Sequence, residues 1–196
     1  MAGRRFTLAL AVALLAAVAF GVYAYQGRGQ SAPTLADSPL AVDFPLYSAG
    51  DSFEGNALTG ITRRLDKADP VDAATANFVG FRYGDCEVGE DGSGCAGPLQ
   101  IQVWPACERT RSSYTMGGEP LPREDLVVRG APASFFEEGQ RLEIYTGPAT
   151  IVLFGIGPDQ LKRAAHSLRG VAGSSVKPGA PLPAPAAGAL EGELTC

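Results

Sequence analysis

Hydrophobic and polar positions follow three rhythms along this chain. The first is an unbroken apolar run at residues 6–25, FTLALAVALLAAVAFGVYAY, without a charge. A helix needs about 20 mostly apolar residues to cross a bilayer core, so this run reads as a transmembrane signal-anchor. Tyr23 and Tyr25 stand at its outer edge, where aromatic side chains favour the membrane interface. A cleaved signal has a shorter apolar core, about 7–15 residues, before a small-x-small site. Ala17-Val18-Ala19 has that pattern but lies inside the run, and Val22-Tyr23-Ala24 is followed by bulky Tyr25. Retention is the favoured reading, and cleavage would make the same domain secreted. Arg4 and Arg5 precede the run and only Arg28 follows closely. The amino end is therefore expected in the cytoplasm and the remainder outside.

The second rhythm is period two. In residues 77–84, Val79, Phe81 and Tyr83 share a face; in Leu99–Pro105, Leu99, Ile101 and Val103 alternate with Gln100, Gln102 and Trp104. These runs flank a short loop and predict a hairpin. Residues 126–129, 133–136, 141–146 and 150–154 read as four more short strands. Glu137-Glu138-Gly139-Gln140 and Gly147-Pro148 supply the turns between the last three.

The third rhythm is helical. Leu161, Ala164, Ala165 and Leu168 fall at i, i+3, i+4 and i+7. Pro158 and Asp159 suit the first turn, and Arg169 with Gly170 the end. Strands followed by a helix, with tight turns, predict an α+β fold: an antiparallel sheet of short strands and hairpins with a C-terminal amphipathic helix packed on it. The expected organisation is a cytoplasmic stub at 1–5, the anchor at 6–25, a linker at 26–42, the domain at 43–171 and a disordered tail at 172–196. The tail reading rests on Pro178, Pro181, Pro183 and Pro185 among alanines and glycines.

Charge and cysteine content narrow the partners. The net charge is −5, or −8 once Arg4, Arg5 and Arg28 around the anchor are set aside. Such an acidic exterior argues against nucleic acid and anionic lipid headgroups. Four cysteines in an exported chain point to disulfides. Cys86 and Cys95 bracket a glycine-rich acidic loop and are the expected pair; closing it would contribute roughly 2–3 kcal/mol. Cys86–Cys107 is the rival pairing. Cys107 also continues the parity of Leu99, Ile101 and Val103, so an unpaired, buried thiol is a third reading.

Residues 52–61 (SFEGNALTGI), 83–86 (YGDC), 94–107 (GCAGPLQIQVWPAC) and 129–147 (RGAPASFFEEGQRLEIYTG) resemble exported single-domain proteins of high-GC Gram-positive bacteria with no known activity. The resemblance spans most of 44–171. The closing strand–strand–helix, ending AAHSLRG at 164–170, loosely resembles carboxyl-terminal domains of membrane-tethered anti-sigma-type proteins. Neither resemblance implies an activity, so no residue roles carry over.

Candidate chemistry is sparse. His166 lies about 140° around the helix from Leu161, off the apolar stripe, and reads as a surface residue. The loop residues Asp85, Glu87, Glu90, Asp91, Gly92 and Ser93 do not have EF-hand spacing and read as a solvated acidic loop. Glu137 and Glu138 read as solubilising turn residues. Trp104, flanked by Gln100 and Gln102 on the face away from Leu99, Ile101 and Val103, is the candidate binding group. The competing reading has other strands or the helix covering that face as a second core. No catalytic residues, metal ligands or cofactors are expected. The leading expectation is a non-catalytic binding or interaction module at the cell envelope, with an envelope protein or a small ligand as partner. The alternatives are an envelope enzyme with a site assembled only in three dimensions and a regulatory or sensory domain.

Overall fold

A single antiparallel sheet organises the domain, because its inward rows are continuous across strands. The computed structural model describes residues 35, 40, 42–64, 78–85, 87–88, 95–111, 115–116 and 119–196. Their strands are β1 (Tyr47–Ser48), β2 (Ser52–Phe53), β3 (Asn56–Arg64), β4 (Phe78–Tyr83), β5 (Glu87–Val88), β6 (Cys95–Ala96), β7 (Leu99–Pro105), β8 (Thr115–Met116), β9 (Glu119–Pro120), β10 (Glu124–Val128), β11 (Ala131–Phe136), β12 (Arg141–Thr146), β13 (Ala149–Gly155) and β14 (Arg169–Gly170). The main sheet has eight strands in the order β10-β11-β12-β13-β7-β4-β3-β2. Register aligns Val79, Val103, Ile151, Ile144, Ala133 and Leu126 in one row, and Phe81, Ile101, Leu153, Leu142 and Phe135 in the next. Side chains directly opposite on neighbouring strands stand about 4.5–5.5 Å apart, so each row is a continuous apolar contact.

The helix Pro158–Ser167 lies on this face against β12 and β13. Leu161, Ala164, Ala165 and Leu168 are fully buried there, as the stripe predicts. The α+β class, the β4–β7 pairing and the four carboxyl-half strands match the sequence reading. The helix stops at Ser167; Arg169 and Gly170 turn away to pair with Ser48 and Tyr47. Its open carbonyls are capped from the β10–β11 turn. The Arg129 guanidinium donates to Ala165 O at 3.2 Å, Leu168 O at 2.7 Å, Lys177 O at 2.7 Å and Ala180 O at 2.6 Å. Val128 pairs with Ala131 across the two-residue turn Arg129-Gly130, with φ at +51° and +84°. That primed turn favours Asn or Gly, and the capping bonds explain why an arginine holds the first position.

Two features at the amino side escape the sequence patterns. β3 pairs with β4 through an irregularity between Leu58 and Gly60, and only Leu58 is fully buried among its residues 56–63. Leu46 and Tyr47 are buried in the core, and Leu35, Leu40 and Val42, inside the expected linker, pack partly against it. Tyr83 ties this segment to the sheet. Its hydroxyl accepts from Ala49 N at 2.9 Å and donates to Gly50 O at 3.0 Å. Burial pushes its pKa up to about 12.

The rival readings of Cys107 and the reading of the tail require correction. Cys107 pairs with Cys196 at a Cα–Cα distance of 5.4 Å, in place of Cys86 or a buried thiol. β7 ends at Pro105, and Ala106 N bonds Pro148 O while Glu108 N and Arg109 N bond back to Pro105 O. This turn breaks the inward parity and presents Cys107 to the tail. The tail crosses the end of the sheet that carries the β10–β11 and β12–β13 turns. Leu182 N bonds Arg129 O, Gly147 N bonds Ala184 O, Ala186 N bonds Gly147 O, and Thr146 Oγ1 donates to Pro183 O. Leu182 and Ala189 are buried. A Pro/Ala segment that cannot fold alone is held by a surface already folded. The 6–25 span and the Cys86–Cys95 pair lie outside what is described; Cys95 is described by its backbone alone. Among the described residues no helix is long and apolar enough to cross a membrane.

Cys196→Ser should lower unfolding stability by about 4–5 kcal/mol in denaturant titration, since the disulfide closes a separation of 89 residues. Non-reducing peptide mapping should recover Cys107 joined to Cys196, and alkylation of Cys107 without reductant would refute the pair. The Tyr83 pKa is raised on folding, so its contribution is full below pH ~10, the unfolded value, and is lost as pH rises toward about 12. Tyr83→Phe should flatten that alkaline decline in equilibrium unfolding.

Candidate functional site

The opposite face of the sheet carries polar rows. Gly80, Gln102, Val152, Glu143, Ser134 and Asp125 align in one; Arg82, Gln100, Phe154, Arg141 and Phe136 in the next; Trp104, Thr150 and Tyr145 in a third. Gln100, Gln102 and Trp104 thus form a column on central strand β7. Trp104 Nε1 donates to Gln102 Oε1 at 3.0 Å, and its ring stacks on Phe78 with centroids 4.7 Å apart. The Arg109 guanidinium sits 5.0 Å from the same ring centroid. Trp104, Gln102 and Gln100 are all half-buried. The helix packs on the other face, so it does not make this one a second core. Residues 106–111 after β7 cross part of it instead.

Arg109 crosses because Glu143 is buried. The Glu143 side chain is fully shielded, at 0% exposure. Its Oε1 accepts from Arg109 Nη2 at 2.6 Å and Nε at 3.3 Å and lies 3.4 Å from Arg141 Nε, while Tyr145 OH donates to Oε2 at 3.3 Å. Arg141 also pairs with Glu137 at 2.7 Å and lies over the Phe136 ring at 4.7 Å. Thr150 Oγ1 donates to the Arg109 carbonyl at 2.6 Å, fixing the backbone that delivers the guanidinium. Burial, then the adjacent Glu143 charge, holds the Tyr145 phenol far above its usual pKa. At the edge, Asp125 accepts from Ser134 Oγ at 2.6 Å and Arg123 Nε at 3.1 Å. The Ser134 bond, with Arg111 and Arg123 nearby, holds its pKa below the usual carboxylate value.

This arrangement is structural chemistry. A general acid or base must come within hydrogen-bond reach of a substrate, and Glu143 is sealed from solvent with both oxygens engaged. The amides of Gln100 and Gln102 and the tryptophan edge are among the accessible groups of this face. Gln100 opens onto a cavity of about 240 Å³ with Gln140, Glu137, Phe154, Gly155 and Ile156. Ile156 is 83% exposed, an apolar side chain at the cavity's rim.

Other candidates separate cleanly. His166 is exposed, and its carbonyl accepts from Gly179 N at 2.9 Å. Glu137 is more than a solubilising residue, because it neutralises Arg141. Of the acidic loop, Asp85 is exposed and the side chains of 87–93 lie outside what is described. No cluster of three or more His, Cys, Asp or Glu able to hold a metal occurs among the described residues. The sequence reading missed Glu143, Arg141 and Tyr145, although their alternation with Leu142 and Ile144 places them on one face. Arg109 carried no signal, since the segment bearing it is irregular. Comparison with protein-family models, curated proteins and solved structures finds no match.

Glu143→Ala is expected to cost about 3–5 kcal/mol in urea unfolding, because it breaks the buried ion pair with Arg109. A loss below 1 kcal/mol would show that the guanidinium finds other compensation.

Proposed function

We propose that this chain is a non-catalytic binding module of the cell envelope, held outside the membrane by the apolar segment 6–25, and that it engages an extended segment of an envelope protein along the Gln100–Gln102–Trp104 column. One observation carries the reading. The Trp104 ring is held by the Phe78 stack, the Gln102 bond and the Arg109 guanidinium, yet stays half-exposed beside two amides. A side chain ordered before binding loses little entropy on contact, so such groups serve as anchors. Four residue steps of strand place Trp104 about 13 Å from Gln100. Along that distance amides can pair with a partner backbone, while the cavity at the Gln100 end takes a side chain. The acidic charge outside the anchor fits a protein partner better than nucleic acid.

Trp104 is the sole tryptophan, so its emission reports directly on this face. Capture from envelope extracts by the full chain should yield a partner that shifts Trp104 emission on titration. Trp104→Ala should weaken that partner at least about tenfold, a loss of ~1.4 kcal/mol, with Gln100→Ala weaker in effect. Equal capture by both variants and wild type would remove the column from the interface. Recovery of the chain in a carbonate-washed membrane fraction tests the anchor separately.

A further inference from the structure

A second cleft, independent of the Trp104 column, opens between the start of β10, the end of β11 and the first turns of the helix. Its volume is about 400 Å³, and Glu124, Glu138, Arg123, Lys162, Phe135 and Pro158 surround it. This lies within the range of small-molecule sites, about 300–1,000 Å³. Charges of both signs meet here without satisfying one another. Lys162 lies over the Phe135 ring, with Nζ 5.7 Å from its centroid, and makes no ion pair among the described residues. Glu124 and Glu138 likewise have no ionic or side-chain hydrogen-bond partner among them. Arg123 adds a guanidinium whose Nε is tied to Asp125 at 3.1 Å.

The wall bearing Glu138 is fixed. Glu137, Glu138 and Gly139 follow one another with φ of +52°, +55° and +85°. Left-handed backbone is disfavoured at a non-glycine residue, and the Glu137–Arg141 pair helps hold the turn. Gly139 packs so closely on Pro158 that a Cβ would stand 3.2 Å from the proline ring. The turn is thereby locked to the helix start, with Glu137 lining one cavity and Glu138 the other.

We infer that this cleft binds a small zwitterion bearing an apolar side chain, the size and charge pattern of a free amino acid. Its ammonium meets Glu124 and Glu138, its carboxylate meets Lys162 and Arg123, and its apolar group lies against Phe135 and Pro158. A ligand bearing both charges supplies at once the partners that these groups do not give each other. An anion alone would face two carboxylates, and a cation alone would face Lys162 and Arg123.

The test uses the full chain, titrated by calorimetry with L-phenylalanine, N-acetyl-L-phenylalanine and L-phenylalanine amide. The free amino acid should saturate, and each singly charged form should bind at least about tenfold more weakly, as expected for one lost charge-assisted contact. Lys162→Gln should weaken L-phenylalanine about tenfold without weakening the amide. Glu138→Gln should weaken L-phenylalanine without weakening the acetylated form. Both side chains are exposed, and unaltered circular dichroism confirms that each variant is folded. Absence of saturation by L-phenylalanine, equal binding of all three probes, or unchanged affinity in both variants would overturn the assignment.

Discussion

The carboxylate of Glu143 is the constraint around which one side of this domain is arranged. A charge in the middle of a sheet face is costly unless cations and hydrogen bonds replace water. One partner, Arg141, comes from the same strand two residues away. The stronger one, Arg109, has to come from outside the sheet. The chain therefore turns sharply after β7 and lays residues 106–111 across the face. Thr150 holds the backbone of that crossing segment, and Trp104 becomes sandwiched between Arg109 and Phe78. The rigidity of the tryptophan ledge is thus a by-product of neutralising a buried acid.

The other face obeys a different rule. It is apolar, row upon row, and takes an alanine-rich helix at close range. Its polar problem is concentrated at the helix end, where carbonyls lack intrahelical donors. Arg129 resolves it and binds the tail with the same guanidinium. Each face therefore depends on an arginine from a connecting segment. The two act oppositely: Arg109 compensates a buried charge, whereas Arg129 supplies donors to main-chain oxygens.

The legible part of the fold was the part written in local periodicity. Leu99, Ile101 and Val103 in β7, the strands of the carboxyl half and the Leu161/Ala164/Ala165/Leu168 stripe all declare their inward faces. β3 was silent because Gly60, Thr59, Thr62 and Arg63 dilute its alternation, and its irregularity at Leu58 interrupts what remains. The tail misled for a related reason. Composition reports whether a segment can fold by itself, not whether a neighbouring surface will hold it, and the bonds to Gly147 and Arg129 are made by backbone atoms common to any sequence. Parity placed Trp104, Gln102 and Gln100 together on the correct face. What lay over them depended on Arg109, whose destination is set by a carboxylate more than thirty residues away.

The Cys107–Cys196 bond also has a mechanical consequence. If tension is applied between the amino side of the domain and Cys196, the covalent link carries it directly from one sulfur to the other. Everything between those cysteines, including β10 to β13, the helix and the tail, is bypassed by the load. Force then acts on the segment from the amino side through β4 to β7, whose long antiparallel pairings must shear before the chain extends. The disulfide thereby divides the sheet into a stressed half and a shielded one, with the strand bearing Trp104 on the boundary.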